Sequence, residues 1–321
     1  MRLSALFEEF TAYLKVERGA SAKTVATYRR YFGYFQSYAR LDITSGPVLV
    51  EHFTPEVCRQ YQYSMASREL QPNSVRVRLA VLASFAKWGV RSGRLARNPM
   101  ENVVLPKRKA RLPRVPRWQV VERFLDSCPK LRDKALVSLM VYGGLRRAEV
   151  VALNVGDYDA SFGLRKVRSK GGHESTVPLP EVARKAMTAY LKKERPDAKP
   201  SEPMFLVKYK WRGGEAKIRR MAEHRVWKLI KHLGKHAGLE TLHPHAFRHA
   251  CAVELLRRTR NLRAVQEYLR HLDIQTTTVY TKLLPEEMQQ IASVFDRDGS
   301  VLAAGDFVPP PEDGNSGAKT P

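Results

Sequence analysis

Cysteine is scarce in this chain. Cys58, Cys128 and Cys251 are the only three in 321 residues, and they lie far apart. No CxxC pair and no Cys/His ligand spacing occurs, which argues against a disulfide framework or a structural zinc and points to buried free thiols in a reducing compartment. Long apolar runs are also missing, and nothing approaches the ~20 residues needed to span a bilayer. The opening MRLSALFEEF is amphipathic and carries two glutamates, unlike a secretory leader. No internal repeat is visible. Acidic residues are the last shortage: 32 Asp and Glu stand against 56 Lys and Arg, for a formal charge of +24. These absences lead to the expectation of an intracellular protein with no membrane partner.

With 43% hydrophobic residues the chain can bury real cores, so its basicity is not that of a disordered tail. The excess of cations is spread over the whole length, and such a surface attracts polyanions, above all nucleic acid. The length suits about two domains. Residues 1–104 read as helical: Ser21 caps a helix, Thr54-Pro55-Glu56 starts another, and Val75, Leu79, Leu82 and Phe85 recur at helical spacing from Asn73 onward. Arg76, Arg78 and Lys87 lie off that apolar stripe and are candidate phosphate contacts. Residues 105–117 form a proline-stiffened linker, and its Lys107, Arg108, Lys109 and Arg111 are expected to track a nucleic-acid backbone. Residues 118–298 make a second block. There helices lead to Gly143-Gly144, β structure runs over Val155–Pro178 with turns at 161–163 and 170–172, and helices resume from Glu181. Residues 299–321 are short of apolar side chains and read as a disordered tail. The fold class expected is mainly α with a small β-sheet, in two domains.

One catalytic problem unites an unusual residue set in the second block. Cleaving a phosphodiester without a metal requires a nucleophile, cations that hold the charge of a pentacovalent phosphate, and an acid for the leaving oxygen. Arg146 sits where Gly143-Gly144-Leu145-Arg146-Arg147-Ala148-Glu149 passes from the end of one helix to the start of the next, so its guanidinium and the helix-end amides can face an anion together. In Pro244-His245-Ala246-Phe247-Arg248 the spacing of three puts His245 and Arg248 on one helical face, with Phe247, Cys251 and Leu255 on a different, apolar one. Tyr280 follows Thr276-Thr277-Thr278-Val279. A phenol titrates near 10 and needs nearby cations or a base to act as a nucleophile, and Arg146, Arg248, His245 and His271 supply that field if they converge. Lys170, at a hairpin tip beside Gly171-Gly172, is a candidate acid. Each motif alone is weak, and the ordinary reading of any one of them is a packing or surface residue.

Taken in order, these residues resemble the tyrosine recombinases: phage integrases, Xer-type resolvases and transposon recombinases. Residues 142–149 are similar to the family's TGLRxSE box, 244–249 to its PHxLRH box, and Leu269-Arg270-His271 with 276–281 to its LGHxxxxTTxxYT box. Val167-Arg168-Ser169-Lys170-Gly171-Gly172 with Val177-Pro178-Leu179 resembles its hairpin pattern. The likeness covers about residues 1–296. It implies a helical core-binding domain of SAM-like type and a mixed α/β-hairpin catalytic domain that clamp double-stranded DNA carrying an inverted-repeat core site. It further implies that Tyr280 forms a 3′-phosphotyrosyl bond while Arg146 and Arg248 hold the phosphate, Lys170 protonates the 5′ oxygen, His245 assists proton transfer and His271 hydrogen-bonds the phosphate. A Holliday junction would follow on a homotetramer, with no cofactor, metal or ATP, on a bacterial nucleoid. The segment 285–294, with Leu284, Met288 and Ile291 as an apolar stripe, would dock on a neighbouring subunit.

Departures are visible. Arg270 stands where glycine is usual, Ala148 replaces a common serine, and His173 and Ser175 replace basic residues of the hairpin pattern. A DNA-binding member of the fold without chemistry, a type IB topoisomerase-like relaxing enzyme, and a basic helical RNA-binding protein stay open at this stage. The DNA target, the biological role and any accessory protein or partner recombinase are not legible.

Overall fold

A computed structural model describes residues 1–107, 115–169, 172–209, 217–239, 242–270 and Thr278. The chain divides into two compact units, Met1–Arg111 and Leu112–Pro321.

The described part of the first unit is helical: α1 (Leu3–Val16), α2 (Ala22–Ala39), α3 (Pro55–Ser67) and α4 (Pro72–Arg91). Ser21 caps α2 by accepting the Thr24 N–H at 3.2 Å, and Thr54 caps α3 by accepting that of Val57 at 3.2 Å, with Pro55 in the first turn. One π-helical segment, Arg40–Thr44, continues α2. α4 begins at Pro72, one residue before the Asn73 start that the apolar spacing suggests. The core is aromatic. Phe7 stacks on Phe32 with centroids 3.7 Å apart, and Phe85 sits among Phe7, Phe10, Phe32, Phe53 and Trp88. Each such pair adds ~0.5–1.5 kcal/mol beyond burial, so this cluster ties α1, α2 and α4 together, with Phe53 bringing in the segment that leads to α3.

The second unit is built around α6 (Leu131–Val141), whose residues Ala135 through Val141 are all buried. A segment buried on every side has no polar face, which is why Ala135–Val141 is apolar but for Ser138, after the charged first turn Arg132-Asp133-Lys134. α5 (Trp118–Asp126), α8 (Glu181–Glu194) and α10 (Pro244–Thr259) pack against it. α7 (Arg147–Ala152) follows the Gly143–Gly144 turn. A three-stranded antiparallel sheet comes next, in the order β1 (Tyr158–Asp159), β2 (Gly163–Arg168), β3 (Glu174–Pro178). In the β2–β3 hairpin Val167 pairs with Ser175 and Arg168 with Glu174, and a bulge lies between Leu164 and Val167. α9 (Glu223–His236) and α11 (Leu262–Tyr268) complete the helices among the described residues.

The expectation of helices throughout after Glu181 is corrected by a second hairpin, β4 (Leu206–Tyr209) with β5 (Lys217–Arg220). β5 has every residue exposed, so the period-two alternation that marks a strand is absent. Arg220 ties this hairpin to the end of α7 by donating to the Val151 carbonyl at 2.8 Å and the Leu153 carbonyl at 2.9 Å.

All three cysteines are buried free thiols, and burial pushes each thiol up to about 12. No helix among the described residues is long and apolar enough to cross a membrane.

Candidate active site

The site grows from one turn. α6 ends at Gly143–Gly144, and Gly144 adopts φ +58°, a left-handed conformation that glycine takes without strain. A side chain there would run into Leu269. The turn delivers Arg146 to the N-cap of α7. Glu149, only 3% exposed, accepts the Arg146 guanidinium at 2.7 Å and the Arg146 backbone N–H at 2.9 Å. This last bond engages the N-cap amide, one of the several amides at this helix start.

Arg248 reaches the same place from α10. The i, i+3 spacing suggested an exposed His/Arg pair, but the two side chains part company. Arg248 is buried, and its two terminal nitrogens donate to the carbonyls of Gly144 and Leu269. Its Nη1 lies 4.0 Å from Glu149 Oε2. His245 is exposed by comparison. Even so, its ring is desolvated enough, and close enough to Arg147, His243, Arg248 and Arg146, for its pKa to fall below the ordinary imidazole value. His245 therefore sits in the positive field of its arginine neighbours, and that field with burial favours its neutral form.

Glu149 is the residue at the centre of this cluster that motif reading passed over. It gathers Arg146, Arg248 and Arg270, the last with Nη2 at 3.3 Å, and it accepts the Ser169 hydroxyl at 3.3 Å. Burial pushes its pKa up, but Arg270, the two Arg146 hydrogen bonds and Arg248 outweigh this and hold it below the ordinary carboxylate range. The only sequence signal was its place in the 142–149 box. The end of α11 is fastened to the same turn, where the Tyr268 hydroxyl donates to the carbonyls of Tyr142 at 2.8 Å and Pro178 at 2.9 Å, either of which can take its one proton.

Lys170, His271 and Tyr280 lie outside the described residues, as do the segment 285–294 and the linker residues Arg108, Lys109 and Arg111. Next to position 170 the Ser169 N–H donates to the His173 carbonyl at 2.8 Å, and the Gly172 N–H donates to the Ser169 carbonyl at 3.2 Å. In the first unit, Lys87 and Lys107 are exposed. Arg78 stacks over Tyr34 at 4.2 Å from the ring centroid. Arg76 donates to the Pro106 carbonyl at 3.0 Å, so it anchors the start of the linker segment as well as bearing charge.

Residues 117–287 match the phage integrase family, and residues 7–93 match the phage integrase N-terminal SAM-like domain. The chain belongs to the phage integrase family. Tyrosine recombinase XerD of Listeria monocytogenes serovar 1/2a is 31% identical over 301 residues, which covers 91% of this chain and 99% of that protein. Tyrosine recombinase XerC of Xylella fastidiosa is 32% identical over 302 residues, covering 92% and 96%. Among solved structures, a lambda integrase(75-356) dimer bound to a COC′ core site shares the fold at a TM-score of 0.67, with 14% identity and coverage of 87% of this chain and 95% of that one. XerH bound to a difH substrate in a pre-cleavage complex shares it at 0.62, with 19% identity and coverage of 91% and 84%. The chain is thus an enzyme of the tyrosine recombinases, whose activity is cutting and rejoining DNA strands.

Proposed function

We propose that this integrase-family chain is a Xer-like site-specific recombinase that acts through a 3′-phosphotyrosyl intermediate. The observation that carries the reading is the meeting of Arg146 and Arg248 on Glu149. The Arg146 guanidinium, part-exposed, can meet a non-bridging phosphate oxygen, and the buried Arg248 adds its charge from behind, or its fork if it is released from the Gly144 and Leu269 carbonyls. The Tyr280 phenol oxygen attacks phosphorus, the P–O5′ bond breaks, and its electron pair leaves on the 5′ oxygen, which takes a proton from Lys170. His245 accepts the phenolic proton, and His271 hydrogen-bonds the phosphate. The P–O bond to tyrosine conserves the energy of the phosphodiester, so rejoining needs neither ATP nor a metal. A 5′ hydroxyl from a partner duplex then displaces Tyr280 and gives a Holliday junction.

The working assembly is a homotetramer on two duplexes with inverted-repeat core sites, acting on bacterial chromosomal DNA in the cytoplasm. Arg78, Lys87 and the basic run 107–111 contribute backbone contacts. Full-length similarity to XerD and XerC supports this reading over a relaxing enzyme.

A suicide DNA substrate carrying a nick near the scissile phosphate tests it. Wild type should give an SDS-resistant protein–DNA adduct in the presence of a chelator. Tyr280→Phe should bind the DNA and give none. An adduct that persists in Tyr280→Phe, or one that requires a divalent metal, refutes the mechanism.

A further inference from the structure

Arg270 is out of place by ordinary rules. It follows α11 in a left-handed conformation, φ +56°, where a side chain costs ~1 kcal/mol relative to glycine. Its side chain is only 7% exposed, and its Nε has no hydrogen-bond partner among the described residues. Burying that guanidinium is costly, and its desolvation lowers its own pKa. A single buried ion pair rarely offsets such costs. The recombinase pattern carries glycine at this position, so the charge here is particular to this chain.

What Arg270 does hold is specific. Nη1 donates to the Tyr268 carbonyl at 2.8 Å, and Nη2 donates to the Gly143 carbonyl at 3.3 Å and to Glu149 Oε2 at 3.3 Å. Glu149 Oε2 is also the atom nearest Arg248, 4.0 Å away. With Arg270 in place this oxygen is engaged, and Arg248 keeps its bonds to Gly144 and Leu269. The charged groups facing Glu149 are Arg146 at its own helix start, Arg248 from α10 and Arg270 from beyond α11, with the Ser169 hydroxyl on Oε1.

We propose that Arg270 is a positioning residue for strand cleavage. It holds Glu149 ready to fix Arg146, and it fastens the chain immediately before position 271 to the Gly143–Gly144 turn. This rests on the recombinase reading above. Removing Arg270 takes away the strongest charge opposing the burial of Glu149. The Glu149 carboxyl then gains a proton at higher pH, and its grip on Arg146 loosens there.

The test is single-turnover cleavage of the suicide substrate from pH 4 to 8.5 by wild type, Arg270→Gly, Arg270→Lys and Tyr280→Phe, with DNA affinity and melting temperature measured alongside. Arg270→Gly should fold with a melting temperature a few degrees below wild type, as removal of one partner of a buried pair requires, bind DNA within about threefold, and cleave at least ~10-fold more slowly at pH 7.5. Its acid limb should move up by about one pH unit, the low end of the effect of a neighbouring opposite charge. Arg270→Lys, which keeps the charge but not the fork, should recover the pH profile more fully than the rate. If wild type forms no adduct, the recombinase reading falls and this inference falls with it. If wild type cleaves and Arg270→Gly matches it in rate and pH profile, the inference alone is overturned. Should Arg270→Gly fail to fold, the Lys variant decides: an unchanged rate and profile there overturns it as well.

Discussion

The Arg248 guanidinium donates to the carbonyl of Gly144, 104 residues earlier in the chain and two before Arg146. Its other arm donates to Leu269, at the end of α11. One buried side chain thereby joins the turn, α10 and the approach to position 271. Hydrogen bonds from a charged donor contribute ~1.5–3 kcal/mol each. Arg248→Ala should lower the melting temperature by several degrees and cut adduct formation on suicide DNA by at least ~100-fold. Arg248→Lys should retain more stability than activity, because an ammonium cannot span two divergent carbonyls. Calorimetry with gel-resolved adduct yields separates the two effects, and an unchanged melting temperature in Arg248→Ala would show that the clamp contributes nothing.

Glu149→Gln keeps the shape of the hub and removes its charge, leaving three guanidiniums without their shared counterion. Breaking a buried pair in this way costs ~3–5 kcal/mol. The native carboxyl is held below its unfolded value of 4.5, so its contribution is complete above that pH and is lost as pH falls through the lower native value. The stability gap between wild type and Glu149→Gln, measured by urea unfolding, should therefore be constant from pH 6 to 8 and narrow below about pH 4.5. A gap that widens in acid would mean that Glu149 is not held ionised by its neighbours.

Much of this was legible before any coordinates. The helix starts at Ser21 and Thr54 were readable because capping is local chemistry, and so was the break at Gly143–Gly144. The positions of Arg146 and His245 followed from the same local logic. What escaped notice depends on distant partners. Glu149 meets Arg270 across 121 residues, which no spacing rule reveals. Arg248 looked like the companion of His245, but i and i+3 differ by about 60° around a helix, and here the edge between buried and open faces runs between them. The β4–β5 hairpin was missed because β5 buries nothing.

Gly144→Ala tests the fit of the turn. The new methyl would collide with Leu269 in a backbone conformation already unfavourable to alanine. In the wild-type background the loss should exceed ~2 kcal/mol. In a Leu269→Ala background, where the collision is gone, it should fall to the ~1 kcal/mol of backbone strain alone. Additive losses in the double-mutant cycle would show that the two residues do not constrain each other.

His249 supplies a second pH signature. Burial, then His245, His243 and Arg248, bring its pKa down to about 4 from 6.5. The unfolded chain therefore binds a proton that the native chain refuses, so this contribution to stability is intact above pH 6.5 and declines as pH drops towards 4. His249→Gln should flatten the melting temperature between those limits relative to wild type. An identical slope in both proteins would assign the acid sensitivity elsewhere.

The three buried thiols have a practical consequence. Cys58 lies in the first unit, and Cys128 and Cys251 lie in the second. A thiolate is scarce at neutral pH when burial holds the group near 12. An alkylating reagent can then react only through transient opening, and mass spectrometry can tell which unit opened. The chain carries a separate molecular clock for each half, with no dye or tag added.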